Sequence, residues 1–445
     1  MERIQKYDIA LLGCGRLGQG IFKLWQHRRE KLIKSSEIDI NIKYILIKHP
    51  EYKRDSAIPK SLLIHNLEPL IKDDSIKVVI DAIGGIEPTF TIIRKFLEKG
   101  CHLVSANRSL LASKMKEIFE IASRNKLLMR FDSALIGGLP LYRTLRKDLI
   151  ACKINSIWGI VSSHANYILT EMKRRHKSLK EVLKLKEIQA LSEGYLLADF
   201  EGSDAAQKIA LIGALCFGVE VNYLHVYAYG VKGVTAYDLK CADKFGFEIK
   251  HLAIIKNLPE GLEMRVHPTL VPKTHPLTLV NHDYNAVQIN TDAAGEFLLY
   301  GKGTGIYPAA SAVLRDTFDI VTQLNNKSVV KNEYPEWNKR TILSIEQIKS
   351  KFYLRFRCKN EPGVIGKIAT ILGKNAINID SAHASLSDRI KDPDSGYVHI
   401  FTGTASERDI IRSMAEIKNI NIVIGDSCFY HIIDEESYGI SNINA

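Results

Sequence analysis

At 445 residues the chain exceeds what one hydrophobic core organises, so two to four domains are expected. It is 46% hydrophobic and 25% charged, and no apolar run reaches the roughly 18 residues of a membrane span, which excludes a disordered chain and a helical membrane protein. The net charge of +11 is spread along the chain without a dense basic block interleaved with aromatics. That argues against nucleic acid as a partner and for small molecules bearing phosphate.

Seven cysteines occur, an odd number, with no C-x-x-C spacing, so reduced thiols suit the chain better than a disulfide framework. Residues 1–7 lead straight into a strand and carry no secretory pattern, and a cytoplasmic location is expected. Residues 7–12 read as a buried strand, followed by Gly13-Cys14-Gly15-Arg16-Leu17-Gly18 and a helical pattern through Ile21, Phe22, Leu24 and Trp25. Strand, G-x-G-x-x-G and helix in succession make a dinucleotide cradle. Gly13 makes the turn, Gly15 admits a pyrophosphate, and Gly18 packs helix on strand, with Arg16 and Leu17 beside the cofactor. A merely tight strand-to-helix turn is the alternative.

The second strand, residues 42–47, ends in Lys48-His49 where an acidic residue would grip a ribose 2′-hydroxyl. A base suits a 2′-phosphate, so NADP is preferred over NAD through Lys48, with Lys53 or Arg54 as other residues in reach. Strands follow at 78–82, 102–105 and 127–131, alternating with helices at 88–99 and 110–124. Such alternation predicts a parallel, doubly wound sheet with ligand at the carboxyl ends of its strands. Further on, half-buried strands are expected at 265–270 and 286–291, and helices at 237–245 and 309–324.

In the stretch Glu201-Gly202-Ser203-Asp204-Ala205-Ala206-Gln207-Lys208, Ser203 is expected to cap a helix. Asp204 then falls in the first turn, where the helix dipole favours a carboxylate. Lys208 follows four residues later on the same face, and the segment beyond is apolar. This describes a buried helix with a charged pair at its mouth, a setting for proton transfer, although an ordinary surface pair has the same spacing.

The strand ends carry Ile83-Gly84-Gly85-Ile86-Glu87-Pro88 and Ser105-Ala106-Asn107-Arg108. Then come Gly137-Gly138-Leu139-Pro140, Asn166-Tyr167-Ile168-Leu169-Thr170-Glu171-Met172, the stretch from Glu201 to Lys208, residues 265–272, and Gly301-Lys302-Gly303-Thr304-Gly305. In these motifs and their order the chain resembles the homoserine dehydrogenase family, NAD(P)-dependent enzymes that interconvert aspartate 4-semialdehyde and homoserine. The resemblance covers nearly the whole chain. It implies that Asp204 and Lys208 are catalytic, that Glu193 holds the substrate's amino group, and that Gly85 lies at the substrate. It places Ile83, Gly84, Ser105, Asn107 and Gly305 at the cofactor. It also implies a monovalent-cation site, Na+ or K+, built largely from backbone carbonyls at Asp132, Leu135, Gly137 and Leu139.

The expected division is α/β: a Rossmann-type domain over residues 1–134, with helix 308–325 returning to it, then an α+β catalytic and dimerisation domain over 135–307. Residues 326–350 read as a polar linker, which implies few contacts across that boundary. Residues 351–434 follow a βαββαβ order with a strand-PGV-helix turn at Pro362-Gly363-Val364 and resemble the ACT regulatory domain. Such domains often bind an amino acid where two copies pair, and threonine is the natural end-product effector. A purely dimerising role is the alternative. A homodimer or homotetramer is expected.

Three departures from the family pattern stand out. Arg108 replaces the lysine of the A-N-K motif and scarcely deprotonates, so it serves to orient a carboxylate or stabilise oxyanion charge. The N-G-T-x-N segment reads Ser162-Ser163-His164-Ala165-Asn166, which puts His164 at the substrate as an acid, base or ligand, or else in a packing role. Thr304 to Ser311 lacks one hydroxyl of the family's glycine-rich segment. Two readings follow: an enzyme of this type, its rate and substrate left open by these departures, or a non-catalytic relative that binds nucleotide and amino acid as a regulatory or interaction protein. Retention of Asp204 with Lys208 favours the enzyme.

Overall fold

The computed structural model describes residues 4–191, 200–326, 336–386 and 394–433. Six parallel strands form the first sheet: β1 (Gln5–Leu12), β2 (Ile38–Leu46), β3 (Leu63–Ile64), β4 (Ile76–Asp81), β5 (His102–Ser105) and β6 (Met129–Arg130). Their order is β3-β2-β1-β4-β5-β6, which reverses direction at β1, so a crevice opens between β1 and β4. Central strands such as Ile9-Ala10-Leu11-Leu12 are buried on both faces because helices cover both, which is why they read as continuous apolar runs.

On one face lie α1 (Arg16–Ser36) and the returning helix α8 (Ile306–Asn325); Phe22, Trp25, Val313 and Ile320 share a core with Ile9 and Val78. On the other lie α2 (Thr89–Lys99) and α3 (Arg108–Arg124). The sixth strand is only two residues long, shorter than the expected 127–131, because α4 (Asp132–Ile136) begins at once.

A second sheet starts with β7 (Ile154–Ile160), followed by α5 (Ser163–Arg175), α6 (Ser203–Phe217), β8 (Tyr227–Ala228) and α7 (Ala236–Lys244). It continues through β9 (Phe247–Leu258), β10 (Gly261–Pro272), β11 (Tyr284–Thr291) and β12 (Glu296–Lys302). The strands expected to be half-buried are buried almost throughout, since α6 packs on one face and Leu277 and Val280 from a following turn pack against Trp158 and Leu252 on the other.

The expected polar linker is not free. Asn338 N–H donates to the Gly218 carbonyl at 2.6 Å, and Leu262 N–H to the Thr341 carbonyl at 2.9 Å, so the described part of this segment is bonded to the catalytic unit. Beyond it come β13 (Lys349–Lys359), α9 (Val364–Lys374), β14 (Ile379–Leu386), β15 (Ser395–Thr402), β16 (Ala405–Ser406), α10 (Glu407–Lys418) and β17 (Val423–Ile432). These strands do not form a separate sheet. The path runs β12-β11-β7-β9-β10-β17-β13-β15-β14, with β17 parallel to β10 through Thr269 opposite His431.

A buried polar cluster seals that seam. Arg265 Nη1 donates to His431 Nδ1 at 2.7 Å, which leaves His431 Nε2 as the donor to Glu407 at 2.9 Å, and the Tyr227 hydroxyl donates to Glu407 at 2.7 Å. Glu263 holds Arg265 from the other side at 2.7 Å. The expectation of few contacts at this boundary is therefore corrected: the C-terminal unit extends the catalytic sheet. Removing it would take from β10 its pairing at Thr269 and Leu270, uncover the Arg265–Glu263 pair, and expose the apolar core that Tyr353 and Tyr430 share with Ile249 and Leu270. A chain ended after residue 348 is expected to be recovered only as aggregate on gel filtration; a monodisperse product with a cooperative melt would show the seam to be dispensable.

Candidate active site

The cradle loop between β1 and α1 is tight. Gly13 has φ +103°, and a Cβ on Gly18 would lie 2.2 Å from the Gly13 carbonyl, so helix and turn touch backbone to backbone. The space before Gly15, which caps α1, is open. A phosphate there would meet the helix N-terminus, with Arg16 exposed beside it.

Across the crevice, the loop after β4 is held from below. Asp81, fully buried, accepts the Ile83 N–H at 3.1 Å and the Ser105 hydroxyl at 3.0 Å. Thr89 donates to the Gly84 carbonyl at 2.9 Å and Asn107 to the Gly85 carbonyl at 2.7 Å. Asn107 also accepts the Leu110 N–H at 3.2 Å and so caps α3. These bonds fix Ile83, Gly84 and Gly85 as one wall of a cavity of about 400 Å³.

The opposite wall comes from α6. Its cap is Gly202 (φ +84°) and not Ser203, because the chain passes against the backbone of Tyr229 and Gly230, where only glycine turns freely. Asp204 thus stands in the first turn and Lys208 one turn further, as the spacing predicts. Lys208 Nζ lies 2.7 Å from Asp204 Oδ2 and donates to the Val161 carbonyl at 2.6 Å. Its side chain is 4% exposed, which rules out an ordinary surface pair.

Arg108 pairs with the other carboxylate oxygen of Asp204 and donates through Nε to the Ala134 carbonyl at 2.9 Å. One carboxylate therefore bridges two cations. Burial alone would raise the Asp204 carboxyl, but Arg108, Lys208 and the nearby His164 outweigh it and hold it well below the usual range. Asp204 stays ionised.

His164 and Ser163 begin α5 and face the same cavity. Ser162 caps that helix through the Ala165 N–H at 3.1 Å, and Ser163 donates to Asn285 at 2.6 Å. Asn285 in turn donates to Val161, the carbonyl that also holds Lys208, at 2.9 Å. The unusual Ser-Ser-His segment is thus part of a connected wall. His164 lines the cavity half-buried, and is not core packing.

Of the residues singled out in the sequence, the cavity gathers Leu17, Ile83, Gly84, Gly85, Asn107, Arg108, His164, Asp204 and Lys208. Ser105 sits behind Asp81, while Gly305 caps α8. Lys48 is exposed at the end of β2. Arg54 folds under it, donating to the His49 and Tyr52 carbonyls at 2.7 and 2.8 Å. Glu193 lies outside the described residues. Asp132, Leu135, Gly137 and Leu139 are buried in one bend behind Ala134; the Asp132 carboxylate accepts the Tyr142 N–H at 2.5 Å and Arg315 at 3.0 Å. The sequence reading missed Val161, Asn285 and the role of Asp81. The first acts through its backbone, and the other two are ordinary polar residues whose meaning is spatial.

Fold and cavity define a nicotinamide-dependent oxidoreductase. Residues 13–132 match the homoserine dehydrogenase NAD binding domain, residues 140–318 the homoserine dehydrogenase domain, and residues 352–420 the ACT domain. The homoserine dehydrogenase of Neisseria gonorrhoeae is 32% identical over 94% of this chain and 96% of its own length, and that of Bacillus subtilis 30% identical over 93% and 95%. The crystal structure of a homoserine dehydrogenase from Thiobacillus denitrificans superposes with a TM-score of 0.88 at 29% identity, covering 98% of this chain and all of that one. A Staphylococcus aureus homoserine dehydrogenase gives 0.75 at 25% identity, covering 97% and 100%. The chain belongs to the homoserine dehydrogenase family.

Burial pushes the Asp81 carboxyl up from 3.8 to about 6, against the bonds from Ile83, Ser105 and Asn107. An acid whose folded value is raised loses stability as pH rises from about 4 to about 6, here by about 3 kcal/mol in all. Asp81→Asn lacks that titration. Differential scanning calorimetry from pH 4 to pH 8 should show wild type losing stability relative to Asp81→Asn across that interval; a constant difference would contradict the buried, ionising Asp81.

Proposed function

We propose that the protein interconverts L-aspartate 4-semialdehyde and L-homoserine with NAD(P), NADP preferred, in the aspartate-derived route to threonine and methionine. The observation that carries this reading is Lys208, held by Asp204 and Val161, facing the Ile83-Gly84-Gly85 wall across one cavity. The Ile83-Gly84-Gly85 wall would hold a nicotinamide, which would supply or take the hydride exchanged with the substrate carbon. Lys208 supplies the proton to the aldehyde oxygen, or takes it from the alcohol in the other direction. Asp204 stays anionic and fixes the ammonium. Arg108 keeps a permanent positive charge beside the forming oxyanion and cannot share the proton. His164 and Gly85 border the substrate, and Glu193 is assigned to its ammonium group by resemblance.

The open face of Gly15 at the α1 N-terminus suits a pyrophosphate. Lys48, with Arg54 bracing the turn beneath it, is assigned to a 2′-phosphate. The carbonyls of Asp132, Leu135, Gly137 and Leu139 are hard oxygen donors of the kind a monovalent cation takes, and are assigned to one.

The ACT domain points to an amino-acid effector. A cavity of about 320 Å³ between the β13–α9 turn and the β14–β15 edge, lined by Asn360, Glu361, Val364, Ser385 and Tyr397, is assigned to it, with threonine as the ligand. A homodimer or homotetramer is part of the reading, and the exposed Leu298 and Tyr300 on edge strand β12 favour association there.

Two outcomes test this. Lys208→Ala should lower homoserine oxidation by at least about 10²-fold, with NADPH affinity by fluorescence titration nearly unchanged; near-wild-type turnover would remove Lys208 from the chemistry. Lys48→Asp should shift the NADPH-to-NADH affinity ratio by about tenfold towards NADH, as expected for one lost charge-assisted bond to phosphate. An unmoved ratio would take the 2′-phosphate away from the end of β2.

A further inference from the structure

The catalytic cavity and the ACT cavity lie on different units, yet one short helix touches the surroundings of both. α7 begins at a capping box: Asp238 Oδ2 accepts the Thr235 N–H at 3.0 Å, and the Asp238 N–H donates to the Thr235 hydroxyl at 3.1 Å. The other oxygen of the same carboxylate is gripped by Arg355 of β13, Nε and Nη2 both at 2.8 Å. Both side chains are almost wholly buried, 4% exposed for Arg355 and none for Asp238. The N-terminus of this catalytic-unit helix is therefore built around a carboxylate that the ACT sheet holds.

One residue earlier, Tyr237 packs its ring on Tyr397 at 4.4 Å between centroids, and the Arg355 guanidinium lies 5.4 Å from one ring and 5.6 Å from the other. Tyr397 is a wall of the ACT cavity. At the far end of α7, its C-cap Phe245 lies 5.2 Å from the rings of His399 and His383. His399 reaches Ser385, a second wall of that cavity, at 3.3 Å. Both ends of the helix therefore rest on residues tied to the pocket.

The other side of α7 faces α5. Leu239, Cys241 and Ala242 share one core with Ala165, Ile168, Leu169 and Met172, and with Tyr353 and Tyr430 from the ACT strands. The first two residues of α5 are Ser163 and His164, which line the catalytic cavity. A ligand that turns the Tyr397 ring or draws β14 and β15 together cannot leave α7 in place, because close-packed cores shift as units.

We propose that α7 transmits occupancy of the ACT cavity to the substrate wall of the active site, with Tyr237 as the residue that reads the ligand. This rests on the assignment of the ACT cavity to an amino-acid effector. Tyr237 touches neither substrate nor effector and acts by positioning α5 through α7. Effects on the two sites are reciprocal, as linkage requires: whatever threonine does to substrate affinity, substrate does to threonine affinity.

The test uses the full-length protein and L-threonine as probe. Threonine should raise the homoserine KM of wild type by about fivefold or more, the lower range of ordinary coupling between sites. Tyr237→Ala should bind threonine in calorimetry with wild-type affinity while its homoserine KM no longer responds; Tyr237→Phe, which keeps the ring contact, should respond normally. Phe245→Leu, at the other end of α7, should weaken the response in the same direction and guards against a Tyr237→Ala protein that does not fold. A Tyr237→Ala or Phe245→Leu enzyme that binds threonine and keeps the full response would overturn the proposal alone. Failure of threonine to bind wild type would overturn the effector assignment and the proposal together.

Discussion

The arrangement depends on one carboxylate holding two cations in a largely buried place. Asp204 sits between Arg108, the first residue of α3, and Lys208 on α6, so the nucleotide-binding sheet and the catalytic helix meet at an ionic contact. Burying three charges is costly and is compensated only where every partner is in place. Here the Ala134 and Val161 carbonyls take further donors from the two cations. Two helix N-termini, those of α3 and α5, converge on the same cavity with Arg108, Lys208 and His164. The site is thus electropositive apart from Asp204, which suits a substrate with a carboxylate and a reaction that develops negative charge on oxygen.

Much of this was legible in the sequence because it depends on local rules. The glycine turn after β1, the apolar runs of the parallel strands and the i,i+4 spacing of Asp204 and Lys208 are periodicities that chemistry imposes on a few adjacent residues. What was not legible is spatial. Arg108 could be seen to have lost a lysine's titration, but not that it would lock onto Asp204, a residue 96 positions away. Ser203 looked like a cap because serine usually is one, yet the close passage of Tyr229 and Gly230 demanded glycine one residue earlier. Strands 261–272 and 284–291 alternate too weakly to reveal that both faces are covered, since Arg265, His267 and Gln288 are polar residues that lie buried, with Arg265 held by His431 of a distant strand.

The linker was misjudged for a related reason. Its polar composition suggests solvation, but Asn338 and Thr341 spend their backbone groups on Gly218 and Leu262. Gly218 ends α6, the helix that starts with Asp204 and Lys208, so the path to the C-terminal unit is fastened to the far end of that helix. The ACT and catalytic units share a sheet, a core and a helix terminus.

The parallel pairing of β17 with β10 also bears on how the chain comes into being. The strand that receives β17 is synthesised some 150 residues before it, and sequence separation on that scale makes the seam among the last contacts to form. At ordinary elongation rates of about 5–20 residues per second, β10 waits roughly 8–30 s for its neighbour. During that interval Thr269 and Leu270 lack their strand partner and the Arg265–Glu263 pair lacks its cover, and nascent chains crowded on one messenger would be at risk of pairing with each other there. A synonymous-codon change that slows translation after residue 272 would lengthen that window, while the finished protein would be identical atom for atom.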